Sequence, residues 1–339
     1  MSWITKSEYI YAVSRIRAIE KRLLDHEIMN RLIDAATPKD AMGILEEVHY
    51  GDKESGSEDV LNVNHEVLLA EEYKKLFKLM KELAPVPDIF NIFLQARDFH
   101  NVKVLMKAEF SGHENLQGLL YDWGPTSPEK IKQMIRSRKY TEMSHIMSLA
   151  VEQAMEEFHH TGDPQAVDTI MDKACYRQMR AMADSYGYRF LQDFVAGTVD
   201  LKNISTFLRL KHLKKDNGFI ENVLLPGGYI PMEIWSEKIK ASKELASEIL
   251  KYSPFYHIAE KMPAHVNFHN SSMNQEGLLY EFKALFIKKG KDAIDGLEPL
   301  VGYLLNKETE IRDVRTIMTG KAYGISGTLI RERLRKVYA

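Results

Sequence analysis

Along most of the chain, apolar residues recur at alternating steps of three and four, as expected of helices that bury one face. Near the start, Tyr9, Ala12, Ile16, Ile19 and Leu23 form such a stripe, with Arg15, Arg17, Lys21 and Arg22 elsewhere on the helix. That spacing predicts a helix of roughly 25 residues packed against one partner helix. Thr37-Pro38, Ser127-Pro128 and Asp163-Pro164 each read as an N-cap followed by a first-turn proline, and Asn64 reads as the cap of a helix running to Pro85. Strict two-residue alternation is scarce, so the expected fold class is all-α. Breaks are expected at Gly51–Asp59, at Leu225-Pro226-Gly227-Gly228 and at Asn270–Gln275. None is long enough to be a free linker between independent domains.

One pattern recurs three times. It reads Asp98-Phe99-His100-Asn101-Val102-Lys103, then Asp200-Leu201-Lys202-Asn203-Ile204-Ser205, then Glu310-Ile311-Arg312-Asp313-Val314-Arg315. One position after the acid stand Phe99, Leu201 and Ile311, and four positions after it Val102, Ile204 and Val314. Seven and eight positions on come Leu105, Phe207 and Ile317, then Met106, Leu208 and Met318, all on one helical face. Upstream, Ile89, Leu191 and Val301 correspond, as do Ile92, Phe194 and Leu304, and Phe93, Val195 and Leu305. An acid in this place suggests a helix start, where a carboxylate accepts free N–H groups and faces the positive end of the dipole. Each copy is therefore expected to be a short helix, a capped break and a second helix. Gly124-Pro125-Thr126-Ser127, Gly228-Tyr229-Ile230-Pro231 and Gly324-Ile325-Ser326-Gly327 each precede another helical stretch, and the third copy reaches its glycine soonest. The tail from Ser326 to Tyr338 reads as the opening of an unfinished fourth unit. The copies start 102 and 110 residues apart, too long for the common short helical repeats. Three lobes are expected, at about residues 1–115, 116–220 and 221–339, the C-terminal helix packing near the N-terminal one.

Composition narrows the functions open to such a chain. Its 339 residues carry 46 Lys+Arg against 48 Asp+Glu, a balance that argues against nucleic acid as the main partner. Cys175 is the only cysteine, which excludes an intramolecular disulfide and a cysteine zinc site. The first residues lack the apolar run of a signal peptide, and nowhere do about 18 apolar residues run together. A cytosolic protein is expected, one that sits on a membrane machine rather than in it if it serves one.

Several residues are candidates for chemistry. Glu46…His49, Glu156…His159 and Glu157…His160 have the Glu-x-x-His spacing of di-metal helical bundles, although polar residues on a helix surface have the same spacing. His265 and His269 are four apart, with no third ligand nearby in sequence. Gly320-Lys321 lacks the earlier glycine of a phosphate-binding loop, so no direct nucleotide binding is expected. Cys175 lies in an apolar-periodic stretch and reads as a buried structural thiol. Arg331, Arg333, Arg335 and Lys336 make the last helix basic, while Glu308, Arg312 and Arg315 flank the third repeat's acid. We take Glu308, Arg312, Arg315, Arg331 and Arg335 as candidates for partner binding or for contacts between lobes.

Three stretches carry a family resemblance: Tyr11-Ala12-Val13-Ser14-Arg15-Ile16-Arg17-Ala18-Ile19-Glu20, Asp98–Lys103, and above all Tyr303–Ile317 continuing through Gly320-Lys321 to Leu329–Tyr338. In order and placement they resemble the C-subunit family (d in eukaryotes) of V/A-type, vacuolar and archaeal, rotary ATPases. The likeness runs over essentially the whole chain. It implies a funnel of three similar lobes in pseudo-threefold arrangement, with no catalytic site and no cofactor. It also implies partners: the coiled-coil D subunit of the central stalk together with the F subunit, and the membrane proteolipid ring. The funnel would couple stalk to ring for ion transport. The location implied is cytoplasmic, peripheral to the membrane. A helical metalloenzyme with a carboxylate/histidine di-metal site is the alternative reading.

Overall fold

The computed structural model describes residues 6–51, 65–112, 115–116, 118–240, 248–249, 251–260 and 272–338, and within these not the side chains of 6–7, 259–260, 272–276 and 335–338. The described residues are helical and contain no strand. They divide into two compact units, Met1–Pro87 with Ser272–Ala339, and Asp88–Ser271.

In the first unit, α1 (Ile10–Ile19), α2 (His26–Asp34), α3 (Pro38–Glu47), α4 (His65–Leu83), α13 (Ser272–Asp292) and α15 (Gly327–Tyr338) all pack against α14 (Glu298–Ala322). The central place of α14 follows from its composition, since Leu300, Val301, Leu304, Leu305, Ile311, Val314 and Ile317 leave no exposed face along its middle. Its closest neighbour is α13, because Gly290 and Gly302 let the two backbones touch. A Cβ built on Gly290 would lie 2.6 Å from the Glu298 carbonyl and 2.7 Å from Gly302 Cα.

In the second unit the long helices are α5 (Asn91–Ser111), α8 (Pro164–Tyr186) and α9 (Arg189–His212). Helix α8 packs on α5, on α9 and on α7 (His145–Thr161). Shorter helices α6 (Pro128–Ser137), α10 (Asn217–Val223), α11 (Met232–Lys240) and α12 (Tyr256–Glu260) complete it.

The cap signals are found where they were expected. Thr37 and Asp40 form a reciprocal capping box, Ser127 accepts from Lys130 N, and Asp163 accepts from Gln165 N. Asn64 lies outside the described residues, as does most of Gly51–Asp59. Two readings are corrected. The expected long N-terminal helix stops at Ile19, passes through a short 3-10 turn at Glu20–Arg22, and becomes extended at Leu23 before Asp25 caps α2. What diverts it is a hydrogen bond from the Leu24 amide to Glu310, a partner outside the local sequence. The break read at Asn270–Gln275 does not extend past residue 271, because Ser272 already opens α13.

Replacing Gly302 with alanine should force α13 and α14 apart, since the new Cβ would sit 2.9 Å from Gly290 Cα. We expect a loss of about 1–3 kcal/mol, read as a lower denaturant midpoint; an unchanged midpoint would contradict the close backbone packing.

Candidate functional site

The three repeated acids are not at helix starts. Asp98, Asp200 and Glu310 stand in the middle of the unbroken helices α5, α9 and α14, with 4 %, 1 % and 6 % of their surface exposed. The expectation of a capped break is therefore corrected, although its chemistry survives. Each carboxylate accepts backbone N–H groups, but from a segment elsewhere in the chain.

Asp98 accepts from the Thr126 amide at 3.3 Å. Asp200 accepts from Tyr229 at 3.2 Å on one oxygen and from Ile230 at 3.1 Å on the other. Three residues on, the asparagines add a second clamp. The Asn101 side chain accepts from Tyr121 N at 2.9 Å and donates to its carbonyl at 2.8 Å. Asn203 does the same for Leu225, at 2.7 and 2.8 Å. A carboxamide offers one donor and one acceptor side by side, so it pairs with a backbone as a neighbouring strand would. These clamps set the loops that lead into α6 and α11.

The segment must come very close for so short an acid to reach it. A Cβ on Gly124 would overlap the Asp98 carboxylate, and one on Gly228 would overlap that of Asp200. A side chain at either place would push the carboxylate off the amides it accepts. Arg97, over the Tyr121 ring at 4.8 Å and the Trp123 ring at 4.4 Å, steadies the first of these loops.

The third copy differs in a way its side chains explain. Glu310 accepts from Leu24 N at 2.7 Å, so its partner segment comes from the other end of the chain and enters α2. The counterpart of the Gly124 and Gly228 segments is thus residues 22–24, not the Gly324 turn. Glutamate is one methylene longer than aspartate and reaches a segment that contains no glycine. At the asparagine position stands Asp313, which has no N–H to donate and so cannot hold both sides of a peptide unit.

Glu310 also belongs to a buried ionic cluster. Lys307 Nζ is 2.6 Å from Glu310 and 2.9 Å from Glu72 of α4, and it lies over the Tyr50 ring at 4.5 Å. Glu72 in turn accepts from Gly51 N at 2.8 Å. Burial pushes Glu310 above the usual carboxylate range. Burial alone would pull the Lys307 ammonium down, but the two carboxylates more than offset it and hold it above an ordinary lysine. Burial together with Glu310 and Glu72 raises Tyr50 well above a free phenol. At Asp200, burial outweighs the hydrogen bonds from Ile230, Ser253 and Tyr229 and lifts the carboxyl to about 6.

The residues singled out from sequence lie mostly in ion pairs inside the first unit. Glu308 faces Lys283 of α13 at 3.5 Å, and Arg315 pairs with Glu66 of α4 at 2.9 Å. Arg312 lies 3.3 Å from Asp313 and over the Tyr280 ring. Arg331 pairs with Asp34 and reaches Asn30, which ties α15 to α2. The Arg335 side chain lies outside the described residues, as do His265 and His269. His49, Glu156, Glu157, His159 and His160 are exposed, Glu46 is partly so, and no group of three or more potential metal ligands converges among the described residues. Burial pushes the Cys175 thiol up to about 12, which suits packing rather than nucleophilic attack. Sequence reading missed Glu72, Lys307 and Tyr50. The available signal for the clamps was a glycine 26 residues after Asp98 and 28 after Asp200.

Comparison with known proteins gives one consistent result. A family model described as ATP synthase (C/AC39) subunit matches residues 12–333. The chain is similar to the C subunit of the V-type sodium ATPase of Enterococcus hirae, with 26 % identity covering 95 % of this chain and 97 % of that protein. It is similar to the C subunit of the A-type ATP synthase of Methanocaldococcus jannaschii, at 21 % over 98 % and 88 % of the two chains. To the same protein of Thermococcus kodakarensis it is 23 % identical, over 97 % and 91 %.

The raised Asp200 carboxyl fixes the sign of one prediction. The folded state binds that proton more tightly than the unfolded chain, so its ionisation costs stability above about pH 6, and the cost is relieved as pH falls towards the ordinary value of 3.8. Between pH 7 and pH 5 the parent protein should therefore gain about 1 kcal/mol relative to Asp200→Asn. Parallel denaturation curves at the two pH values would measure this, and a gap that does not change with pH would exclude it. Arg315→Glu breaks a half-exposed pair with Glu66 and should cost no more than about 1 kcal/mol. A cost of several kcal/mol in the same assay would mean the pair does more than its exposure allows.

Proposed function

The chain belongs to the ATP synthase (C/AC39) subunit family, and from that membership we propose that it is the non-catalytic central-stalk adapter of a V/A-type rotary ATPase. In this reading it joins the rotating stalk, a coiled-coil D subunit with its F companion, to the membrane proteolipid ring. It carries torque between ATP chemistry and ion transport. The observation that carries the proposal is the match of the family model over residues 12–333. Residues 1–115, 116–220 and 221–339 would be three related lobes, each containing one of the repeated acids.

Several features support an adapter. Long helices tied to their flanking loops by buried carboxylates and carboxamides resist deformation. No helix among the described residues is long and apolar enough to cross a membrane, which suits a protein resting on the ring. Helix α15 turns Arg333 to solvent, a cation for an acidic partner surface, while Arg331 is held by Asp34.

Affinity purification of the tagged chain from gently solubilised membranes should recover the stalk proteins and the proteolipid ring together. Membranes lacking the chain should lose ATP-driven ion transport while the detached head still hydrolyses ATP. Recovery of neither partner, or ion transport that persists without the chain, would refute the adapter role.

A further inference from the structure

Helices α2 and α3 form a hairpin whose two ends meet at one charge. The amide entering it, Leu24 N, is bound by Glu310, and the amide leaving it, Gly51 N, is bound by Glu72. Both carboxylates are ion-paired to Lys307, at 2.6 and 2.9 Å, and all three side chains are no more than 12 % exposed. Tyr50, one residue before the exit amide, puts its ring under the same ammonium. The hairpin's tip is held by cations too. Lys321 donates to the carbonyls of Ile33 and Ala35 at the end of α2, and Arg331 pairs with Asp34.

We infer that Lys307 couples the two ends of residues 24–51, so that this strap docks on α14 and leaves it as one unit. Without the ammonium, Glu72 and Glu310 would be two buried like charges facing each other, and both amide clamps would weaken together. Lys75 stands 3.7 Å from Glu72, but it is 40 % exposed and does not reach Glu310, so it cannot take the coupling role. Lifting the strap would uncover Leu32, Ile33, Met42 and Leu45 at once, all buried in the docked state. The surface open to a partner would then change in one step.

Amide hydrogen exchange on the full chain tests this, with Lys307→Met, Glu310→Gln and Glu72→Gln compared to the parent and to Lys307→Arg. Lys307→Met should speed exchange across residues 24–51 as a block by about a hundredfold, leaving α8 of the other unit unchanged. Each glutamine variant should speed exchange at both ends of the strap, and Lys307→Arg should retain most of the protection. Three results would overturn the inference: acceleration confined to Leu24 in one glutamine variant and to Gly51 in the other, uniform acceleration over the whole chain, or no acceleration. The two glutamine variants keep the test open if Lys307→Met does not fold.

Discussion

A carboxylate in the middle of a buried helix survives only if something replaces the water it has lost, because the helix has already used the nearby backbone N–H groups. In this chain the replacement is the backbone of another segment. Asp98, Asp200 and Glu310 each take amides from a stretch that leads into a short helix. Helix and segment therefore depend on each other, since each bond satisfies a group that would otherwise be buried unpaired. The placement of α6, α11 and α2 follows from where those amides are held.

The differences among the copies follow from side-chain length and charge. Aspartate forces a close approach, and the two aspartate copies have glycine where the segment passes the acid. Glutamate relaxes that demand, and the third copy dispenses with the glycine. It also places a second carboxylate, Glu72, against the same lysine, so the third clamp joins α14, α4 and both ends of the α2–α3 hairpin. The copies without a lysine three residues upstream have Gln95 and Gly197 there, and the donors that reach their acids from the clamped segments are uncharged amides.

Much of this was legible in the chain, and what was not has a physical cause. Helical periodicity and the cap-then-proline signals gave the helix class and several boundaries, because those forces act within a few residues. The repeat was visible as a shared apolar face, and the burial of Phe99, Leu201 and Ile311 agrees with it. The role of the acids was misplaced because a carboxylate looks the same in sequence whether it caps its own helix or a segment 28 or 286 residues away. The turn at Leu23 was hidden for the same reason. A lysine three residues before a glutamate has the spacing of any exposed helical pair, so nothing local marked Lys307 as the buried partner of Glu310, and Glu72 gave no sign of joining them. The family resemblance, which no single element could supply, carried the step from helices to rotary ATPase.

If the clamps position the segments, then a glycine and its acid must be energetically coupled. The most direct measurement is a double-mutant cycle on Asp200→Ala and Gly228→Ala by denaturant unfolding. Gly228→Ala should be costly in the parent, where its Cβ meets the Asp200 carboxylate, and far less so once that carboxylate is gone. Costs that simply add would contradict this coupling, because the loop would then be held in place by something other than the buried acid.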